Sequence, residues 1–217
     1  MKKATVIKHI EEVVKRRLSS EGTGHDWWHI QRVRRNARLI CKSEKADLFI
    51  VDLAVLLHDV GDRKVIQQEE DDYSVAETIL KTQGIPHEVV QQVMFIIKNM
   101  SFSKSLNTRK DLAPKEFHVV QDADRLDAMG AIGIARAFAY GGSKARPLYD
   151  PTKKAKTTRN AKAYKKLGSS SLHHFEEKLF LLKDLMNTRT ARRIAIGRHR
   201  YMRAFVTQFL SEWDGKR

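Results

Sequence analysis

Apolar residues recur along this chain at intervals of three and four, the period of helices that bury one face. Val6, Ile7, Ile10, Val13, Val14 and Leu18 predict an amphipathic helix over residues 4–18, and the run from Ser19 to Gly24 breaks it. A second helix is expected over 25–42, with Ile30, Val33, Ala37 and Ile40 as its stripe and Trp27 and Trp28 near its start. The third, beginning near Asp47, departs from the pattern. Leu53-Ala54-Val55-Leu56-Leu57 shows no polar face, as a buried helix would, and it runs into His58-Asp59-Val60-Gly61-Asp62.

A polar loop over 62–72 follows, then helices over 73–83 and 86–99, divided by Gly84 and Pro86 as a helix end and a first helical turn. A loop over 101–113 leads to Pro114 and one long apolar-periodic segment through Tyr140, closed by Gly141-Gly142. Two more helices are expected over 172–186 and 190–213, the last with Tyr201, Phe205 and Phe209 four residues apart. The pattern offers no strand and no internal repeat, so the expected fold class is all-α.

Composition narrows the class. The 217 residues are 41% hydrophobic and 31% charged, the balance of a soluble globular chain of one domain. The single Cys41 excludes a disulfide framework and suits a reducing cytoplasm. Lys8, His9, Glu11 and Glu12 interrupt what would have to be the apolar core of a signal peptide. No uncharged apolar run approaches a membrane span, so a cytoplasmic protein is expected. The formal net charge of +15 attracts anions, whether nucleic acid, anionic lipid or phosphorylated small molecules, and much of it falls in residues 144–166.

The polar residues that end the third helix are costly to bury unless something satisfies them. A divalent metal does so, because imidazole and carboxylate are its usual protein ligands. His25 and His29 stand one turn apart, with Arg32 three residues further on that side. With His58, Asp59 and Asp124 the chain order is His, His-Asp, Asp. Two imidazoles and two carboxylates fit an octahedral ion such as Mn²⁺, Fe²⁺ or Co²⁺ with positions left for water or substrate. No cysteine joins the set, which argues against a closed structural zinc site.

These residues, with Gly24-His25-Asp26-Trp27-Trp28-His29-Ile30-Gln31-Arg32-Val33, Gln121-Asp122-Ala123-Asp124-Arg125-Leu126-Asp127-Ala128 and Gly130-Ala131-Ile132-Gly133-Ile134-Ala135-Arg136, resemble the HD superfamily of metal-dependent phosphohydrolases. The wording is closer still to stand-alone bacterial HD-domain hydrolases that cleave nucleoside triphosphates to monophosphate and pyrophosphate. The resemblance implies an HD-domain helical bundle over about 22–140, a basic loop over 141–168 and additional C-terminal helices over 171–213. It implies one divalent ion, Mn²⁺ first, with Co²⁺, Ni²⁺, Fe²⁺ or Mg²⁺ as alternatives, held by His29, His58, Asp59 and Asp124. Asp62 would handle the attacking water, with His25 as a second catalytic group. Arg32, Lys64, Asp127 and Arg146 would contact substrate.

Three alternatives stay open. The same site could cleave phosphomonoesters or alarmones, or the chain could be a basic nucleic-acid-binding module with a structural metal, although no nucleic-acid motif accompanies the charge. Trp27, Trp28, His173 and His174 are expected in packing. Residues 144–166 read as a solvated loop, a nucleic-acid surface or, preferred here, a mobile lid over a phosphorylated substrate. Tyr149 and Tyr164 are too sparse for a stacking platform. The expected partners are a nucleotide or other phosphorylated small molecule and a second copy of the chain, with no membrane.

Overall fold

The computed structural model describes residues 2–19, 24–66, 68, 70–102, 113–155 and 170–216; its regular structure is helical, and no strand occurs among the described residues. The chain divides into two compact units, Met1–Ala123 and Asp124–Arg217.

The first unit is built on α3 (Leu48–Leu57), which packs against α1 (Lys3–Leu18), α2 (Trp27–Glu44) and α6 (His87–Asn99). With three helices packed on it, α3 has no solvent face beyond its first turn, and Ile50 through Leu57 are all buried. Asp47 starts it as N-cap, accepting a hydrogen bond from the Phe49 amide at 2.8 Å. On α2 the expected stripe of Ile30, Val33, Ala37 and Ile40 is fully buried. That helix begins two residues later than the periodicity suggests, because Asp26 caps it by accepting from the His29 amide at 2.7 Å. His25 therefore lies before the helix and not within it. The short α4 (Arg63–Ile66) and α5 (Ser74–Thr82) follow, and α5 packs on α6.

Asp52, buried in the middle of α3, is matched by two arginines of α2, one of them tied in turn to α1. Arg34 Nε donates to Oδ1 at 3.1 Å, Arg38 Nη2 donates to Oδ2 at 2.8 Å, and Arg34 Nη1 reaches Glu11 at 2.8 Å. Burial alone would raise the Asp52 carboxyl, but these hydrogen bonds and charges outweigh it and hold the group below the usual carboxylate range.

α7 (Lys115–Asp127) runs from the first unit into the second. The single segment expected over 114–140 is in fact two helices. The chain turns at Ala128 and Met129, and α8 (Gly130–Ser143) starts on Gly130 at φ +71°, a conformation that glycine adopts without penalty. Gly141 and Gly142 do not end this helix, which continues to Ser143. The helix expected over 172–186 is a short α9 (His173–Glu177) followed by a 3₁₀ segment, Leu179–Leu185. α10 (Arg189–Trp213), capped by Thr188, packs on both α8 and the 3₁₀ segment. Phe138 of α8 meets Phe175, Phe205 and Phe209 there. His173 is buried beside Ser170, its Nδ1 2.8 Å from the hydroxyl, in the packing role expected of it. Among the described residues no helix is long and apolar enough to cross a membrane.

Candidate metal centre

The apolar α3 delivers His58 and Asp59 at its C-terminal end, where the chain leaves the helix and backbone groups become available to side chains. His58 Nδ1 donates to the Val55 carbonyl one turn back, at 2.7 Å, and a neutral ring fixed in this way turns the lone pair of Nε2 toward the site. Facing it is His29 Nε2 at 3.2 Å, from the first turn of α2, where the Asp26 cap fixes the backbone. Asp59 closes the triangle, with Oδ2 3.3 Å from His29 Nε2 and Oδ1 3.4 Å from His58 Nε2. All three side chains are buried.

Two imidazole nitrogens this close can share at most one proton, and the carboxylate brings only acceptors. A cation satisfies all three at once. Neighbouring ligands bonded at ~2.1 Å and right angles stand about 3 Å apart, the separation of these atoms, so the donor set fits a divalent ion. His25 stands outside this triangle. Its Nδ1 lies 2.9 Å from Asp59 Oδ2 and its ring meets that of His29 edge-on, an arrangement that orients the carboxylate. His25, His29 and Asp59 nevertheless form a cluster able to hold a metal, their ligand atoms all within 4.8 Å of one another. Burial disfavours ionisation of Asp59, but the surrounding His58, His25 and His29 hold its carboxyl well below the usual range.

The loop beyond the site is pinned by Gly61. Its carbonyl accepts from the Asp72 amide at 2.9 Å, and a Cβ at this position would stand 2.0 Å from the Asp72 carbonyl oxygen. This closure brings Tyr73 in as a buried residue. Burial, with the Asp71, Asp62 and Asp59 carboxylates, pushes its phenol well above the usual range, so it stays neutral. Tyr73 was not foreseen, nor were Val55 as an anchor and Asp26 as a cap. Asp26, directly before the apolar stripe of α2, carried a readable capping signal. Tyr73 depends on a loop closure that no periodicity reports.

Of the other expected residues in this unit, Asp62 is half-buried on the turn after α3 and Arg32 is half-buried one turn beyond His29. Lys64 belongs to α4, and its side chain lies outside the described residues. Asp124, Asp127 and Arg146 belong to the second unit. There Asp127 is buried in an ion pair with Arg136 at 3.0 Å, and the Arg146 guanidinium lies over the Tyr140 ring, 5.5 Å from its centre. Within the basic block Lys144 also faces Tyr140 and Lys153 pairs with Asp150 at 3.0 Å, while residues 156–169 lie outside the described residues.

The HD domain family model matches residues 27–129. The uncharacterized protein YpgQ of Bacillus subtilis is 39% identical over 215 residues, 99% of this chain and 97% of that protein. The structure of YpgQ in complex with ADP is similar at a TM-score of 0.75 and 38% identity, covering 98% of this chain and 96% of that one. A protein from Lactobacillus plantarum is similar at a TM-score of 0.86 and 39% identity, covering 97% and 98%. An HD-superfamily hydrolase from Bacillus thuringiensis is 41% identical at a TM-score of 0.74, with 98% of both chains covered. With His29 and the His58-Asp59 pair assembled inside the region the HD domain family matches, the chain belongs to the HD superfamily of hydrolases.

Proposed function

We propose that this hydrolase is a divalent-metal-dependent nucleotide pyrophosphohydrolase, which cleaves nucleoside or deoxynucleoside triphosphates to the monophosphate and pyrophosphate. The observation that carries the reading is the buried convergence of His29, His58 and Asp59, three electron-pair donors with one proton at most among the two imidazole nitrogens. A nucleotide is supported by the ADP complex of the similar YpgQ.

His29, His58 and Asp59 would hold the ion, with Asp124 as the fourth ligand. Mn²⁺ is the favoured ion ahead of Co²⁺, Ni²⁺, Fe²⁺ and Mg²⁺; when bound, it would supply Lewis acidity toward a phosphoryl oxygen and acidify water. The Val55 carbonyl keeps His58 in the tautomer that presents Nε2. His25 steadies Asp59, so its part is positioning as well as relief of phosphate charge. Asp62, three residues beyond Asp59, takes the proton from the attacking water. Water adds to the α-phosphorus, the α–β bond breaks, and pyrophosphate leaves with the bridging oxygen. Arg32, Lys64 and Arg146 neutralise charge on the phosphates. Asp127, paired with Arg136 at 3.0 Å, would orient that arginine as well as contact substrate.

The test is a nucleotide panel assayed with Mn²⁺, with and without chelator, in which the products are identified. Monophosphate and pyrophosphate in equal amounts, abolished by chelator, are expected. Release of orthophosphate alone overturns the choice of bond.

A further inference from the structure

Trp28 is 63% exposed, although Trp27 beside it is buried and both were expected in packing. A lone exposed apolar side chain is ordinary. This one is set apart by where it stands. It is the residue directly before His29, in the first turn of α2, and its backbone is held between two fixed points. On one side Trp27 is buried; on the other the His29 amide is tied to Asp26 and its ring is buried in the metal centre. At 3.6 residues per turn, Trp28 stands about 100° around the helix from His29, and Arg32 stands between them at about 60°. The α2 side of the site therefore presents an exposed indole and a half-buried cation beside the buried imidazole of His29.

We infer that Trp28 is the platform on which the nucleobase of the substrate stacks while its phosphates lie at the metal centre; this rests on the nucleotide reading above. Every base has a π face, and stacking on an aromatic side chain discriminates little among bases. The residue thus selects for a base-bearing phosphate over a bare polyphosphate and tolerates several bases, with purines bound better than pyrimidines for their larger face. The guanidinium of Arg32, one turn along the same side, suits the phosphates that follow the sugar.

Two measurements test this on the intact chain. In steady-state kinetics with Mn²⁺, Trp28→Ala should raise KM for ATP by roughly 10- to 100-fold, the loss typical of one stacked base. Trp28→Phe should restore most of it, and the inhibition constant of inorganic tripolyphosphate, which has phosphates and no base, should not move. In the second measurement, ADP should quench the tryptophan fluorescence of the parent chain and leave that of Trp28→Phe almost unchanged. If KM for ATP and the tripolyphosphate constant move together, or ATP kinetics are unaltered in Trp28→Ala, the platform is wrong. If the parent cleaves no nucleotide, the proposed reaction fails, and the quenching decides the platform by itself: loss of the signal in Trp28→Phe upholds it, and equal quenching in both overturns it.

Discussion

Asp52 and Asp59 are seven residues apart on and just beyond one buried helix, and both are ionised against the pull of burial. Asp52 is satisfied by protein cations, whereas Asp59 faces the imidazoles of His25, His29 and His58, which suit a metal. The difference yields separate predictions. The Asp52 pKa is lowered in the fold, so its stabilisation is present above the unfolded value of about 3.9 and is lost as pH falls through the folded value. Asp52→Asn should cost about 3–5 kcal/mol at neutral pH, because Arg34 is left buried and under-matched. In denaturant melts the gap from the parent should narrow below a pH of about 4; a gap constant down to pH 2 would show that the ion pair is not its source. For Asp62 the expectation concerns chemistry alone. Asp62→Asn should keep its metal, measured by elemental analysis, and lose about 10²–10⁴-fold in kcat. Normal turnover would remove Asp62 from the mechanism. At this scale the His58-Asp59 pair was legible because ionisable side chains that follow a helix without a polar face need a partner. The adjacent tryptophans were not separated, although Arg32 and Arg35 at four and seven residues beyond Trp28 mark its side of the helix as polar.

Helices were legible where periodicity alone decides them, as in α1 and α6, and blurred where a single residue sets the boundary, as Asp26 does for α2. The turn before α8 is invisible to a hydrophobic pattern that continues across it, since only the backbone angle of Gly130 marks the break. Gly141 and Gly142 were misjudged for the complementary reason: in sequence they look like a helix end, yet both are held inside α8. Their surroundings predict opposite responses. A Cβ on Gly142 meets nothing within 4 Å, so Gly142→Ala should stabilise the chain by about 0.4–1 kcal/mol through the unfolded state. A Cβ on Gly141 would stand 2.0 Å from the buried Ser171 hydroxyl, so Gly141→Ala should lower the melting temperature. Thermal melts of the two single variants decide this, and equal shifts of one sign would contradict the packing described.

For the whole molecule, charge and metal act on different observables. The excess of 41 basic over 26 acidic residues was read as attraction to anions, and composition could not say which anion. The division into two units also leaves no trace in composition, because α7 passes through the boundary without interruption. The ion should report on stability directly, since a ligand that binds only the folded chain adds about 2.7 kcal/mol at a hundred times its dissociation constant. Mn²⁺ should therefore raise the melting temperature of the parent and chelator should reverse it, while Asp59→Ala, lacking a ligand, should respond to neither. A parent melt indifferent to Mn²⁺, Co²⁺ and chelator would speak against a resident ion.

The helix at the centre of the first unit also sets a timetable. Synthesis proceeds from the N-terminus, so α1 and α2 are complete before α3, but α6 ends 42 residues after Leu57. At about 5–20 residues per second, one side of the most apolar helix waits about 2–8 s for its cover. During that interval the face of α3 that α6 later covers is exposed on a nascent chain, where an apolar surface invites association. A chain stopped at Gln83 should accordingly pellet with the insoluble fraction, and a soluble monomer of that length would show that α1 and α2 suffice to cover α3. The same absence of a polar face that places His58 and Asp59 at the helix end therefore leaves the newborn chain briefly prone to association.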